Sequence, residues 1–152
     1  MSQLFTCPVS GPKQMVVATD ASPYGEAAVA EAMGLAMVCA TKLTVVAVLE
    51  GNEEYDAIAP DRAEAEGTRL KVHLDAVRAA LLERQIEHEI VVHHGDDPAR
   101  FIIDDARRLG ASMIVIGKHG ARRGIKRLFV GAVAEKVIAD APCSVLVVRT
   151  GS

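Results

Sequence analysis

A glycine-rich basic stretch, GKHGARRGIKRLFVGA, spans residues 117–132 and contains the residue types that bind phosphate. It holds four glycines, one histidine and five lysines or arginines, and it lies between an apolar run and a helical pattern. Backbone amides at a helix N-terminus are unpaired and carry the positive end of the helix dipole, so a glycine turn entering a helix can hold an anion. The residues that would present backbone to the anion are Gly117, Gly120, Gly131, Ala132 and Val133.

The same stretch has a purely structural interpretation, because ordinary strand-to-helix junctions also need glycine for turning. The P-loop and GxGxxG patterns are both absent from the chain. The basic side chains Arg122, Arg123, Lys126 and Arg127 would either supply charge to phosphates or form a solvated basic face. The sequence leaves both interpretations open.

The size and composition of the chain predict a single aliphatic domain. It has 152 residues, of which 50% are apolar and 3% aromatic. A chain of this length buries enough surface for one core, and Val, Ile, Leu, Ala and Met must build that core. Such an aliphatic bias is typical of parallel strands covered on both faces.

Charge and cysteine content exclude several protein classes. A net charge of −3 leaves the chain without the basic surface that duplex nucleic acid requires. Three widely spaced cysteines, Cys7, Cys39 and Cys143, argue against a disulfide framework and favour the cytoplasm. No apolar run approaches the ~20 residues of a membrane span, and the N-terminus lacks the pattern of a signal peptide. We expect a cytoplasmic protein that contacts neither membrane nor nucleic acid.

Hydrophobic patterns predict alternating strands and helices. Ser22 and Pro23 resemble an N-cap and first helical residue, and Pro98 and Gly110 bracket the most clearly bounded helix. The segment 51–61, GNEEYDAIAPD, interrupts the regular pattern. We predict a flexible arm at 1–13 and one domain at 14–152, with strands at 14–19, 42–50, 86–95, 111–117 and 143–149 and helices at 23–40, 62–85, 96–110 and 131–141.

Five strands and four helices in alternation predict a doubly wound α/β fold with helices on both faces of a parallel sheet. Among the common strand orders, 3-2-1-4-5 places the change of direction between strands one and four. Ligands of such sheets bind beyond the carboxyl ends of the strands at that point. Asp20 and the glycine-rich stretch would therefore lie together.

Three segments resemble the universal stress protein family: VVATDAS, HHGDDPARFIIDDARRLGASMIVIGKHG and VGAVAEKVIADAPCSVLVV, in this order, within residues 14–148. The resemblance implies a 3-2-1-4-5 parallel sheet and a homodimer that pairs the last strand. It also implies a role as a stress sensor or regulator that binds ATP, with or without Mg²⁺, and does not appreciably turn it over. AMP or a cyclic nucleotide is a further candidate ligand, and the regulatory protein partners are unknown.

The nucleotide-binding branch of that family carries glycine, two residues, glycine, nine residues, then glycine and Ser or Thr. By resemblance, Gly117, Gly120 and Gly131 would surround the phosphates. Asp20 would lie by the adenosine and Val48 by the base, while His119 would either touch phosphate or face solvent. The complete predicted nucleotide site is Thr19, Asp20, Val48, Gly117, His119, Gly120, Arg122, Gly131, Ala132 and Val133.

This chain departs from that motif in two ways. Ten residues separate Gly120 from Gly131, and Ala132 occupies the position of the hydroxyl residue. Losing a hydrogen bond from a hydroxyl to phosphate costs ~1.5–3 kcal/mol, which weakens binding by roughly ten- to a hundred-fold. Gly124 could absorb the extra residue with a positive φ. The alternative is a dimeric interaction protein of the same fold that has lost nucleotide binding.

The histidines outside the loop do not form a metal site by sequence. His93 and His94 are adjacent on a predicted strand, so their side chains point to opposite faces. His73 and His88 have no partner at the spacing of metal ligands. We expect no metal site.

The chain also lacks a recognisable catalytic apparatus. No GxSxG elbow and no paired Cys and His motif is present. Cys143 is expected to be a partly buried structural thiol. Asp104 and Asp105 lie too far into their helix to hold a metal for hydrolysis. We expect a binding protein rather than an enzyme.

Overall fold

The computed structural model describes residues 13–119 and 130–150. Strands and helices alternate through these residues as the hydrophobic pattern predicts. The predicted arm, apart from Lys13, and the loop residues 120–129 lie outside them. The elements are β1 (Gln14–Thr19), α1 (Pro23–Cys39), β2 (Lys42–Glu50), α2 (Glu53–Ile58), α3 (Pro60–Glu83), β3 (His88–Gly95), α4 (Pro98–Leu109), β4 (Met113–Gly117), α5 (Ala132–Asp140) and β5 (Ser144–Val148).

The five strands form one parallel sheet in the order β3-β2-β1-β4-β5, which confirms the predicted topology. β1 is central, and Val17 lies opposite Val45 of β2 and Val115 of β4. The chain order reverses between β1 and β4. The carboxyl ends of these two strands therefore meet at the edge where such sheets bind ligands.

Two separate cores cover the two faces of the sheet, because successive strand residues point to opposite sides. Met15 and Val17 pack with α1 and α3 on one face. Val16 and Ala18 pack with α4 and α5 on the other. All four strand residues are buried. This double coverage explains why the four residues between Gln14 and Thr19 of β1 are all apolar.

A fifth helix, α2, corrects the expectation of four. The segment 51–61 was predicted to be irregular, but it contains α2 and the first two residues of α3. Asn52 caps α2 by accepting a hydrogen bond from the Tyr55 amide at 2.8 Å, and acidic residues occupy the first turn. Both features favour a helix start. α3 then begins at Pro60, two residues before its predicted start.

Helix α4 lies between the two residues predicted to bracket it, since it begins at Pro98 and ends before Gly110, although residues 96 and 97 of the predicted range precede it. Asp97 caps it by accepting from the Arg100 amide at 3.2 Å, and Gly110 ends it with a left-handed φ of 61°. Lys136 of α5 donates to Asp97 at 2.7 Å. The Lys136 hydrogen bond, followed by the one from Arg100, lowers the pKa of Asp97. The start of α4 is thus joined to α5.

Three strands begin later in the chain than predicted and are therefore shorter. β3 begins at His88 rather than at Ile86, and β4 begins at Met113 rather than at Ala111. β5 begins at Ser144, one residue after Cys143. The apolar residues before these strands are partly or fully buried without pairing in the sheet. Among the described helices, none is long and apolar enough to cross a bilayer.

Candidate functional site

Asp20 follows the carboxyl end of β1 and organises the turn into α1. Its Oδ1 accepts hydrogen bonds from the Ser22 amide at 3.0 Å and from the Ser22 hydroxyl at 2.5 Å. Ser22 Oγ in turn accepts from the Gly25 amide at 3.1 Å, which caps the helix. Ala21 between them has a left-handed φ of 62°. Asp20 therefore has a structural role at the end of the strand, beside any contact it makes with a ligand.

The Thr19 side chain points into the sheet face covered by α1 and α3. It is 5% exposed, and its hydroxyl lies 2.8 Å from Nε2 of His73 on α3. The sequence showed no residue near His73 that could share a metal with it. In the structure, His73 is hydrogen-bonded to Thr19. The two residues are 54 positions apart. No local signal in the sequence could have paired them.

Gly25 allows the first turn of α1 to press against the end of β1. A Cβ added there would lie 2.7 Å from Thr19 Oγ1, 2.8 Å from Asp20 Oδ1 and 2.9 Å from the Asp20 amide nitrogen. Real Cβ atoms do not approach that closely. The close approach fixes the backbone at the predicted nucleoside side of the site.

Gly117 ends β4, and the close packing of α1 against it leaves no room for a side chain. A Cβ at Gly117 would lie 2.8 Å from the Tyr24 carbonyl oxygen and 2.9 Å from Tyr24 Cβ. The sequence interpretation placed Gly117 against phosphate, and the structure adds a contact with α1. A bulky substitution at Gly117 would therefore disturb the fold as well as a bound ligand.

His119 is half-buried at the start of the glycine-rich loop. Its ring meets that of Tyr24 edge-on, with the ring centroids 5.1 Å apart. The imidazole therefore packs on the first turn of α1 rather than standing free in solvent. Gly120 and Arg122, which were also predicted to contact the nucleotide, lie outside the described residues.

Backbone hydrogen bonds hold the two ends of the loop together. The Gly131 amide donates to the Lys118 carbonyl at 2.8 Å, and the Lys118 amide donates to the Val148 carbonyl at 2.8 Å. Gly131 precedes α5 with φ −63° and ψ 156°, and no described side chain caps that helix. Ala132 and Val133, the other two predicted residues, lie in the first turn. The amides of this turn are thus placed beside the end of β4.

Val48 lies at the same edge of the sheet, near the end of β2. Ala47 is opposite Thr19, and Val48, the next residue, is opposite His93 on β3. Val48 is half-buried. The structure therefore brings Thr19, Asp20, Val48, Gly117, His119, Gly131, Ala132 and Val133 to the carboxyl edge of the sheet.

His93 and His94 do face opposite sides of the sheet, as predicted. His93 Nε2 lies 2.6 Å from Oδ2 of the buried Asp105, and its ring stacks on Phe101 with centroids 4.6 Å apart. His94 Nε2 lies 3.1 Å from Asp56 of α2. Each histidine ties β3 to a different helix. Within the described ranges, no group of three or more His, Cys, Asp or Glu side chains could hold a metal.

Asp105 is a structural residue that the sequence did not identify. Its side chain is 7% exposed, and its second oxygen accepts from Arg108 at 3.1 Å. Position 105 is on the buried stripe of α4, next to Ala106 and Ile103. An aspartate among the apolar residues of a helix face indicates a buried polar partner. This pattern could have identified Asp105 from the sequence.

The described thiols, Cys39 and Cys143, are free. Cys143 is half-buried, and burial raises its pKa, partly offset by a backbone hydrogen bond with Ile114. A raised pKa makes a thiol a poor nucleophile at neutral pH. The structural role predicted for Cys143 fits this environment.

An open groove of about 370 Å³ lies between α4 and α5. Its walls carry mixed charges, and none of its lining residues belongs to the predicted nucleotide site. It shows no convergent set of groups for one ligand class. The groove is lined by Asp97, Arg100, Ile103, Asp104, Arg107, Lys136 and Asp140.

Comparison with known proteins gives a consistent result. The sequence model described as "Universal stress protein family" matches residues 12–149. The stress response protein NhaX of Bacillus subtilis is 28% identical over 163 aligned residues, covering 90% of this chain and 97% of that protein. A universal stress protein crystallised in complex with cAMP is 25% identical, with a TM-score of 0.68, covering 93% of this chain and 100% of that one. The universal stress protein of Archaeoglobus fulgidus in complex with dAMP is 25% identical, with a TM-score of 0.65, covering 89% and 96%.

Proposed function

This chain belongs to the universal stress protein family, and we propose that it binds an adenine nucleotide as a cytoplasmic stress sensor or regulator without appreciable turnover. The observation that carries the proposal is the convergence of Asp20, Gly117 and the first turn of α5 at the carboxyl edge of β1 and β4. Two similar proteins have structures with cAMP and dAMP. Their ligands support adenine as the base.

The parts of the nucleotide are assigned by the chemistry of each region. The first turn of α5, which no described side chain caps, supplies amides for phosphate next to the end of β4. The half-buried apolar side chain of Val48 offers a surface for the base, and Asp20 offers carboxylate oxygens for ribose hydroxyls. His119 and the basic loop residues would add donors to the phosphates. No residue in this arrangement is assigned a nucleophilic or metal-holding role.

A second copy of the chain is the proposed partner along β5. This edge strand carries four consecutive apolar residues, Val145–Val148, all only half-buried. An exposed apolar edge strand is a template for pairing with another strand. We therefore propose a homodimer through β5, with a solution mass twice the 16.1 kDa of the chain.

Thermal unfolding of the nucleotide-stripped protein tests the binding proposal. Ligand at about a hundred times its dissociation constant stabilises by ~2.7 kcal/mol, so millimolar ATP with Mg²⁺ raises the midpoint by roughly 5–10 °C. AMP and cAMP, measured in the same way, identify the preferred nucleotide. Mg²⁺ alone and inorganic triphosphate are the controls. An unchanged midpoint with every adenine nucleotide contradicts the proposal.

Ala132→Ser tests the second candidate function, an interaction protein without nucleotide binding. Ala132 is exposed at the first position of α5, and a serine there restores a hydroxyl beside the phosphate amides. We expect the affinity for ATP to rise by about ten- to a hundred-fold. Ala139→Ser, on an exposed position in the last turn of the same helix, should leave the affinity unchanged. Binding that appears only in Ala132→Ser favours the interaction protein.

A further inference from the structure

His73 occupies an unusual position for a titratable group in this fold. It lies on α3, yet its Nε2 is 2.8 Å from the hydroxyl of Thr19, the last residue of β1. The ring is half-buried, and α1 presses against the same strand end through Gly25. His73 thus lies beside the nucleoside part of the proposed site, although nothing in the proposed binding scheme uses it.

Carboxylates surround His73 on two sides. Glu26 in the first turn of α1 and Asp20 after β1 both act on the imidazole and favour its charged form. Desolvation is the larger effect, and the net result is a lowered pKa for His73. On α3 itself, Arg69 precedes it by one turn, and the position one turn later is the apolar Val77. In the free protein at neutral pH the ring is therefore neutral.

We propose that His73 is the proton-linked residue of this site and takes up a proton when an anionic nucleotide binds beside Thr19 and Asp20. The inference rests on the proposed nucleotide binding. A nucleotide brings negative charge to the same edge of the sheet, and added negative charge favours the protonated imidazole, as Glu26 and Asp20 already do. Protonated His73 keeps its hydrogen bond, because its Nε2–H donates to the Thr19 hydroxyl. Proton uptake on binding makes the affinity increase as pH falls.

The test compares nucleotide affinity across pH in the full chain and in His73→Gln. Glutamine retains a hydrogen-bonding group for Thr19 but does not titrate. Calorimetry with AMP in EDTA, from about pH 8 to about pH 5.5, should show the wild-type affinity rising about three- to tenfold more than that of the variant. Because the same ligand is used, protonation of its phosphate cancels in the comparison. Buffers of different ionisation enthalpy should show greater proton uptake in the wild type than in His73→Gln.

His88→Gln is the matched control. His88 lies at the opposite end of the sheet, at the start of β3, where its Nδ1 is 2.8 Å from the Ile86 carbonyl. This variant should show the wild-type pH dependence. Equal pH dependence in the wild type and His73→Gln overturns the inference while leaving nucleotide binding intact.

Two further readouts separate the remaining outcomes. An NMR titration of the His73 ring should show its pKa rising when AMP saturates the protein, and an unchanged pKa overturns the inference independently of affinity. Failure of the wild type to bind any adenine nucleotide at any pH overturns the proposed function and this inference together. Thermal unfolding confirms that His73→Gln is folded at each pH used.

Discussion

Replacing Gly25 by alanine lowers the free energy of unfolding by about 1–3 kcal/mol, whereas the same substitution at Gly34 in the same helix raises it by about 0.5–1 kcal/mol. The new Cβ at position 25 meets the Thr19 hydroxyl and the backbone of Asp20 within 3 Å. At Gly34 no described atom lies within 4 Å of the new Cβ, so only the gain in helix propensity remains.

Urea unfolding of the two variants and the parent measures this difference. The pair cancels the effect of alanine on the unfolded chain, because both variants replace a glycine by alanine. Equal free energies for the two variants would contradict the close approach of α1 to β1. Displacement of Asp20 should also weaken nucleotide binding in Gly25→Ala, and Gly34→Ala should bind as the parent does.

His93→Ala lowers the free energy of unfolding by about 2–3 kcal/mol. Its partner Asp105 is buried, and removing the imidazole leaves the carboxylate with Arg108 as its remaining described partner. Leaving a buried carboxylate without one of its hydrogen-bond partners destabilises the folded protein several times more than breaking an exposed ion pair does. The stacking contact with Phe101 is lost as well. Chemical denaturation followed by circular dichroism measures the change.

His94→Ala is the control on the adjacent residue. Its pair with Asp56 is half-exposed, at 50% and 28% for the two side chains. Exposed pairs contribute about 0–1 kcal/mol, so this variant should differ little from the parent. A double-mutant cycle of His93→Ala with Asp105→Asn should show strong non-additivity. Additive effects would mean that the two side chains do not stabilise each other.

The two-sided core followed from the residues for a specific reason, whereas the strand order was taken from the common orders of this class and from the family resemblance. β1 and β2 are continuous apolar runs, and such runs belong to parallel strands covered by helices on both faces. Pro98 and Gly110 marked α4 because proline holds φ near its helical value, and glycine accepts the left-handed φ of a helix end at little cost. Asn52 and the acidic residues after it are likewise local signals of a helix start, for α2. The prediction missed them because the surrounding residues show no regular pattern.

In the candidate site, too, local features could be predicted from the sequence and long-range packing could not. Glycines at 117 and 131, and Asp20 at the end of β1, were identified from types and spacing, since strand ends and helix starts are local features. Their packing was not, because Gly117 meets Tyr24 and Gly25 meets Thr19 only after α1 folds back on the sheet. Spacing could therefore locate Gly117 without revealing its contact with α1.

By itself, the sequence determined the doubly wound class, because hydrophobic period and turn residues act over short distances. The strand order was chosen among the common orders of that class and implied by the family resemblance, and the sheet confirms it. Only the tertiary structure decided the partners of the titratable groups. His73 reaches Thr19 across 54 residues, and His93 reaches Asp105 across an element boundary. These contacts depend on how α3 and α4 lie against the sheet, which is set by packing of the whole core rather than by any one segment.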